Sequence, residues 1–156
     1  MIEGHQLSYR HFMGIGADFQ RARFWRREHG GLLLENGSID KGAVYKRGPD
    51  FTEWNMEAVP NDTWGSYHAH WARAGNPAPG GGVYIDHHSP LDFTGAISEH
   101  FGSLVINRFD VSYKPPFANS PNQLQYPSIS GVRGKSKIDP WRGPESLADV
   151  GKEFEW

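Results

Sequence analysis

Trp64-Gly65-Ser66-Tyr67-His68-Ala69-His70-Trp71 alternates its large residues in the manner of a β-strand. On a strand, side chains two apart share a face, so His68 and His70 present two imidazoles side by side. The chain has no cysteine, so any metal must be held by His, Asp or Glu. A zinc hydrolase centre needs three protein ligands and one open position; two histidines and one carboxylate are then the natural set.

Downstream, Ala72–Gly82 reads as a loop rich in Gly, Pro and Asn, and Val83–Asp86 as a short strand or extended edge. Ser89-Pro90-Leu91-Asp92 opens a helix predicted over 90–101, with Ser at the N-cap, Pro at the first helical position and Asp at the third. Asp92, in that first turn, is placed by topology to be the third ligand. Gly102 ends the helix, and 103–113 reads as a buried strand. Upstream, 17–27 reads as an amphipathic helix carrying Phe19, Ala22, Phe24 and Trp25, stopped by Gly30 and Gly31. Leu32–Leu34 and Ala43–Tyr45 flank a turn of Asn36, Gly37, Ser38 and Asp40, a hairpin signal. Residues 48–63 are turn-rich, with an extended piece around Trp54–Val59. A water activated by the metal needs a proton acceptor that is not a ligand, and Glu28, just ahead of the Gly31–Leu34 strand, is a candidate.

The ordinary structural readings stand beside these. Ser89 and Asp92 can serve as a capping box alone, Glu28 as a solvated helix end, and Gly30-Gly31 as a helix stop. His5, His11, His29 and His100 read as surface residues, and Arg133, Lys135, Lys137 and Arg142 as a solvated face. The motifs gain weight from occurring together and in order.

Composition fits one domain of 156 residues: 1–16 irregular, 17–114 the folded unit, 115–156 a tail. Of the 31 residues from Pro115 to Glu145, 13 are Gly, Pro or Ser, so the tail is expected to be irregular, packing on the domain or extending from it. With 37% hydrophobic residues, six Trp, six Tyr and nine Phe must supply much of the core. A net charge of −2 argues against a general nucleic-acid binder. Met1–Gly16 contains no apolar run of signal-peptide type, and no stretch approaches a membrane span. The expectation is a soluble protein that engages no membrane.

Taken in chain order, Glu28-His29-Gly30-Gly31-Leu32-Leu33-Leu34, Ser66-Tyr67-His68-Ala69-His70 and Ser89-Pro90-Leu91-Asp92 resemble the JAB/JAMM (MPN-like) zinc metalloprotease pattern. The likeness covers roughly residues 17–114 and looks closest to the bacterial branch found in polymorphic toxin modules. It implies an α/β fold, a mixed and partly curled sheet flanked by helices. It also implies one zinc ion per chain on His68, His70 and Asp92, Glu28 as the group that moves protons, and Ser89 as donor to the oxyanion. The implied substrates are peptide or isopeptide amides. Localisation is then either cytoplasmic or, as the toxin branch implies, by delivery within a secreted effector, which would bring a cognate immunity or inhibitor protein as partner.

Two departures bear on substrate. Trp71 stands where the family usually has Pro, and 18 residues, 71–88, separate His70 from Ser89. Trp71, Tyr84, His87 and His88 are therefore candidates for a substrate groove. A catalytically silent MPN-like binding module is the alternative reading. A third is a metal-dependent phosphodiesterase or nuclease, since Asp86-His87-His88 after Val83-Tyr84-Ile85 resembles the Asp-His-His motif of two-manganese phosphoesterases. The Asp-x-Asp such enzymes carry after an earlier strand is missing from the chain.

Overall fold

A computed structural model describes residues 9–107 and 111–125. Its elements run α1 (Tyr9–Trp25), β1 (Gly30–Leu34), β2 (Ile39–Asp40), β3 (Val44–Arg47), β4 (Thr52–Trp54), β5 (Thr63–Ala69), α2 (Pro90–Thr94), α3 (Ala96–His100), β6 (Gly102–Ile106) and β7 (Val111–Lys114). Five strands form an open mixed sheet in the order β2-β1-β5-β6-β7, and β3 pairs with β4 separately. Only β5 and β6 run parallel among these pairs. That pairing requires a crossover, and residues 70–101 supply it, carrying α2 and α3.

Strand periodicity sorts the two faces. Leu33, Tyr67, Ala69, Leu104, Ile106, Val111 and Tyr113 form one buried cluster with Ile15, Phe19 and Ala22 of α1. Leu32 and Leu34, of opposite parity on β1, pack instead with Ala43 and with Ile97 of α3. The sheet thus lies between α1 and the α2–α3 side, and His68 has the parity of the second face. That face is unusually polar for a buried surface: Ser66, His68, Ser103, Ser112 and Lys114 are all buried on β5, β6 and β7. Lys114 ties the layers together by donating from Nζ to the Ser98 carbonyl at 2.6 Å.

Several boundaries depart from expectation. The first helix begins at Tyr9, not at Ala17, so residues 9–16 are helical. Gly14 within it serves close packing, since a Cβ there would lie 2.2 Å from Ile39 Cδ1. Its early start gives α1 a buried stripe of His11, Ile15, Asp18, Phe19 and Ala22. His11 is consequently buried, with Nε2 2.9 Å from the Ser38 carbonyl, rather than a surface residue. Phe24 and Trp25 lie off that stripe and are exposed.

The helix ends at Trp25 through a left-handed residue, Arg26 (φ 54°), not through Gly30 and Gly31, which belong to β1. Gly30 stands opposite His68, and a Cβ on it would meet the Tyr67 carbonyl at 2.2 Å. The hairpin partner of β1 is Ile39–Asp40; Val44–Arg47 turns away to pair with β4. The expected helix over 90–101 is two short helices parted at Gly95, whose ψ of 138° is extended. The expected strand over 103–113 is likewise two strands paired antiparallel. Val83 makes an isolated bridge with Pro77 and belongs to no strand. Of the tail, residues up to Gln125 are described, and Gln125 pairs with Tyr113. The remaining tail, including Arg133, Lys135, Lys137 and Arg142, lies outside the described residues, as does His5. Among the described residues no helix is long and apolar enough to cross a membrane.

Gly30→Ala is expected to lower stability by about 1–3 kcal/mol, the range for forcing atoms into a packed site. Chemical denaturation would show this as a lower midpoint. An unchanged midpoint would mean that β1 does not approach β5 this closely.

Candidate metal centre

His68 and His70 do project together from the end of β5. The His70 N–H donates to the Ile106 carbonyl at 2.8 Å, which extends the β5–β6 ladder one residue past the strand and holds His70 in parity with His68. Their Nε2 atoms lie 3.2 Å apart.

Glu28 reaches them from the α1–β1 turn. Its N–H donates to the Gly48 carbonyl at 2.8 Å, and Thr52 Oγ1 donates to Oε2 at 2.9 Å, leaving Oε1 3.4 Å from His70 Nε2. Asp92 comes from the opposite side. Its Oδ1 is 3.2 Å from His68 Nε2 and its Oδ2 3.5 Å from His70 Nε2. The capping box is present as well: Ser89 N–H donates to Asp92 Oδ2 at 2.8 Å, and Asp92 N–H to Ser89 Oγ at 3.4 Å. Capping and facing the imidazoles are therefore one arrangement, because the cap sets the rotation of the carboxylate.

The donor set fits a divalent ion. Donor atoms of Glu28, His68 and His70 all lie within 4.8 Å of one another. His70 Nδ1 sits 2.8 Å from the Ile85 carbonyl, which can only accept, so Nδ1 carries the proton and Nε2 turns a lone pair into the cluster. A ring nitrogen fixed through a carbonyl on its far side is the usual support of a metal-bound histidine. Zinc bonds of roughly 2.0–2.1 Å place neighbouring tetrahedral ligands about 3.3 Å apart, close to the 3.2–3.5 Å separations here.

Charge is strongly redistributed within the cluster. Burial opposes a charge on His68, but Asp92 and Glu28 outweigh it and push the imidazole up to about 9. Burial likewise opposes the Asp92 carboxylate, yet the imidazoles beside it hold it well below the usual range. Glu28 moves the other way, raised by burial against the pull of His68 and His70.

Other candidates fall differently. Trp71 and Tyr84 line a cavity of about 250 Å³ that also includes Glu28, His70 and Ser89, whereas His87 and His88 do not line it. His88 turns into the sheet, with Nδ1 2.9 Å from Ser112 Oγ and Nε2 3.1 Å from the Ser103 carbonyl. Both ring nitrogens are engaged, and burial depresses its pKa to about 3, so it stays neutral. Its role is to anchor the segment that carries Ser89 and Asp92. Asp86 contributes its backbone carbonyl to Asn107 Nδ2 at 3.0 Å; Asp86, His87 and also the expected ligand Asp92 stand outside the donor group, which takes in Glu28 instead. Thr52 and the Ile85 carbonyl were not foreseen. A threonine in a turn-rich stretch and a main-chain oxygen carry no sequence signal.

A metal ion taken up on His68 would have to displace the proton that the imidazole holds below its pKa of about 9. Apparent zinc affinity is therefore expected to rise about tenfold per pH unit from pH 6.5 towards 9, with one proton released per ion. Isothermal titration in buffers of different protonation enthalpy measures both. A flat profile would contradict the charge assignment. In chelator, His88 sets a second limb. Its folded pKa lies below the unfolded value near 6.5, so stability is lost as pH falls from about 6.5 towards 3. Denaturation across that window should show a shallower limb in His88→Asn than in the parent; equal limbs would exclude His88 as a cause.

No protein-family model matches the chain, and no curated protein or solved structure matches it.

Proposed function

We propose that the chain is a zinc-dependent hydrolase of amide bonds, acting on peptide or isopeptide linkages in the manner of JAMM metalloproteases. The observation that carries the reading is the convergence of Glu28, His68 and His70 into one group that could hold an ion, with Asp92, outside that group, 3.2 Å from His68 Nε2 and 3.5 Å from His70 Nε2. Their order along the chain resembles the JAMM pattern, which supports the reading. His68, His70 and Asp92 would hold the zinc, which supplies Lewis acidity to the attacking water and the substrate carbonyl.

The two carboxylates differ in ways that divide the labour. Asp92 faces both imidazoles, is oriented by its cap and keeps its charge, as a ligand must. Glu28 has a raised pKa and borders the larger cavity, where a substrate would enter, while Asp92 does not line it. A carboxylate poised towards neutrality suits proton transfer. Glu28 takes the proton from the attacking water and passes it to the leaving amine. Thr52 holds its second oxygen, which aims Oε1 at the cluster. Ser89 lines the same cavity and its Oγ accepts from Asp92 N–H, so its own proton is free to stabilise charge on the carbonyl oxygen.

The deciding experiment is a peptide-library digest by zinc-loaded protein, read by mass spectrometry as new amine termini. Glu28→Gln is expected to keep about one zinc per chain and lose at least about 100-fold in turnover, as removal of a general base does. Full activity in that variant would overturn the role of Glu28. A preparation that takes up no zinc would overturn the reading as a whole.

A further inference from the structure

The cavity beside the cluster has a construction of its own. Pro49, Trp71, Val83, Tyr84, Ile85 and Leu91 form its apolar walls, with Glu28, His70 and Ser89 at its floor. Its volume of about 250 Å³ is below the ~300–1,000 Å³ of typical small-molecule pockets. That is room for one or two side chains.

The wall is preformed. Gly75 N–H donates to the Tyr84 carbonyl at 2.9 Å and Tyr84 N–H to the Asn76 carbonyl at 2.8 Å, folding 75–84 back on itself. Its C-terminal end is tied down twice: the Ile85 carbonyl to His70 Nδ1 at 2.8 Å, and the Asp86 carbonyl to Asn107 Nδ2 at 3.0 Å. On the facing side, Trp71 Nε1 donates to the Pro49 carbonyl at 2.9 Å, and its ring meets Tyr84 edge-on at 5.4 Å. The residue whose carbonyl orients a candidate ligand thus also lends its side chain to the groove. Rim and wall expose large apolar surface, with Val83 at 55% and Leu91 at 74%. The lining includes the carboxylic residues Glu28 and Asp50, and no Lys or Arg.

We propose that this groove is a subsite for a bulky, uncharged apolar side chain of a peptide, adjacent to the bond placed over His70 and Glu28. It rests on the amide-hydrolase reading for the occupant being a peptide. The walls bury an aliphatic or aromatic side chain, and the two carboxylates repel an acidic one. Because the wall is tied before anything binds, little ordering opposes occupancy. Selectivity between Leu and Ala at such a site is expected to reach about tenfold or more, since one methylene in an apolar pocket already discriminates by that order.

Binding tests this without turnover. The full chain, stripped with chelator, is titrated calorimetrically with N-acetyl, C-amide tripeptides bearing Leu, Phe, Ala, Lys or Glu at the centre. Leu and Phe peptides are expected to bind at least about tenfold tighter than Ala and Glu peptides, and Val83→Asp should erase that preference. Equal affinities, a preference for Lys or Glu, or no binding of any peptide would overturn the subsite. Cleavage is scored separately on the same peptides with zinc-loaded protein. Apolar-selective binding without cleavage supports the subsite and overturns the hydrolase reading. Cleavage with no preference at either flanking position overturns the subsite alone.

Discussion

Two imidazole nitrogens 3.2 Å apart, one of them fixed as a lone pair by the carbonyl on its far side, make an electron-rich point that a proton or a metal ion must neutralise. Two carboxylates press on the same point. In water this concentration of acceptors would disperse; in a buried site it persists only because surrounding groups hold each member in place. Glu28 is braced by Gly48 and Thr52, Asp92 by its helix cap, and His70 by Ile85 and Ile106. The sheet gives the fixed frame, and the crossover 70–101 delivers the groups that the strand itself does not carry.

The same constraint accounts for the polarity of the second sheet face. A wholly apolar face would pack well but would leave no way to seat the segment bearing Ser89 and Asp92. Ser103 and Ser112 instead receive His88, whose neutral ring fills the space under that segment with both nitrogens bonded. On the other face the ordinary rules hold, and α1 covers the sheet with Ile15, Phe19 and Ala22. Asp18 is buried there without penalty because Tyr67, Lys41 and Arg21 all donate to it.

Much of the site was legible because it depends on local rules. Strand parity brought His68 and His70 together, and the Ser-Pro-x-Asp start put Asp92 at the head of a helix. The elements around them were less legible. Gly30 reads as a helix stop, although it lies in β1 and lets β5 approach closely, which only tertiary structure reveals. β1 pairs with Ile39–Asp40 instead of Ala43–Tyr45 because Val44–Arg47 is taken up by Thr52–Trp54, a short partner with no sequence signal of its own. His88 looked like a groove residue because it sits in a loop. Its two serine partners lie 15 and 24 residues further along the chain, beyond any local pattern.

The most direct measurement of the centre is X-ray absorption at the zinc edge on protein loaded with one equivalent. Two imidazole nitrogens and carboxylate oxygen at about 2.0–2.2 Å are expected, with the imidazole scattering halved in His70→Ala. A spectrum without imidazole, or one unchanged by that substitution, would contradict the placement of a metal between His68 and His70.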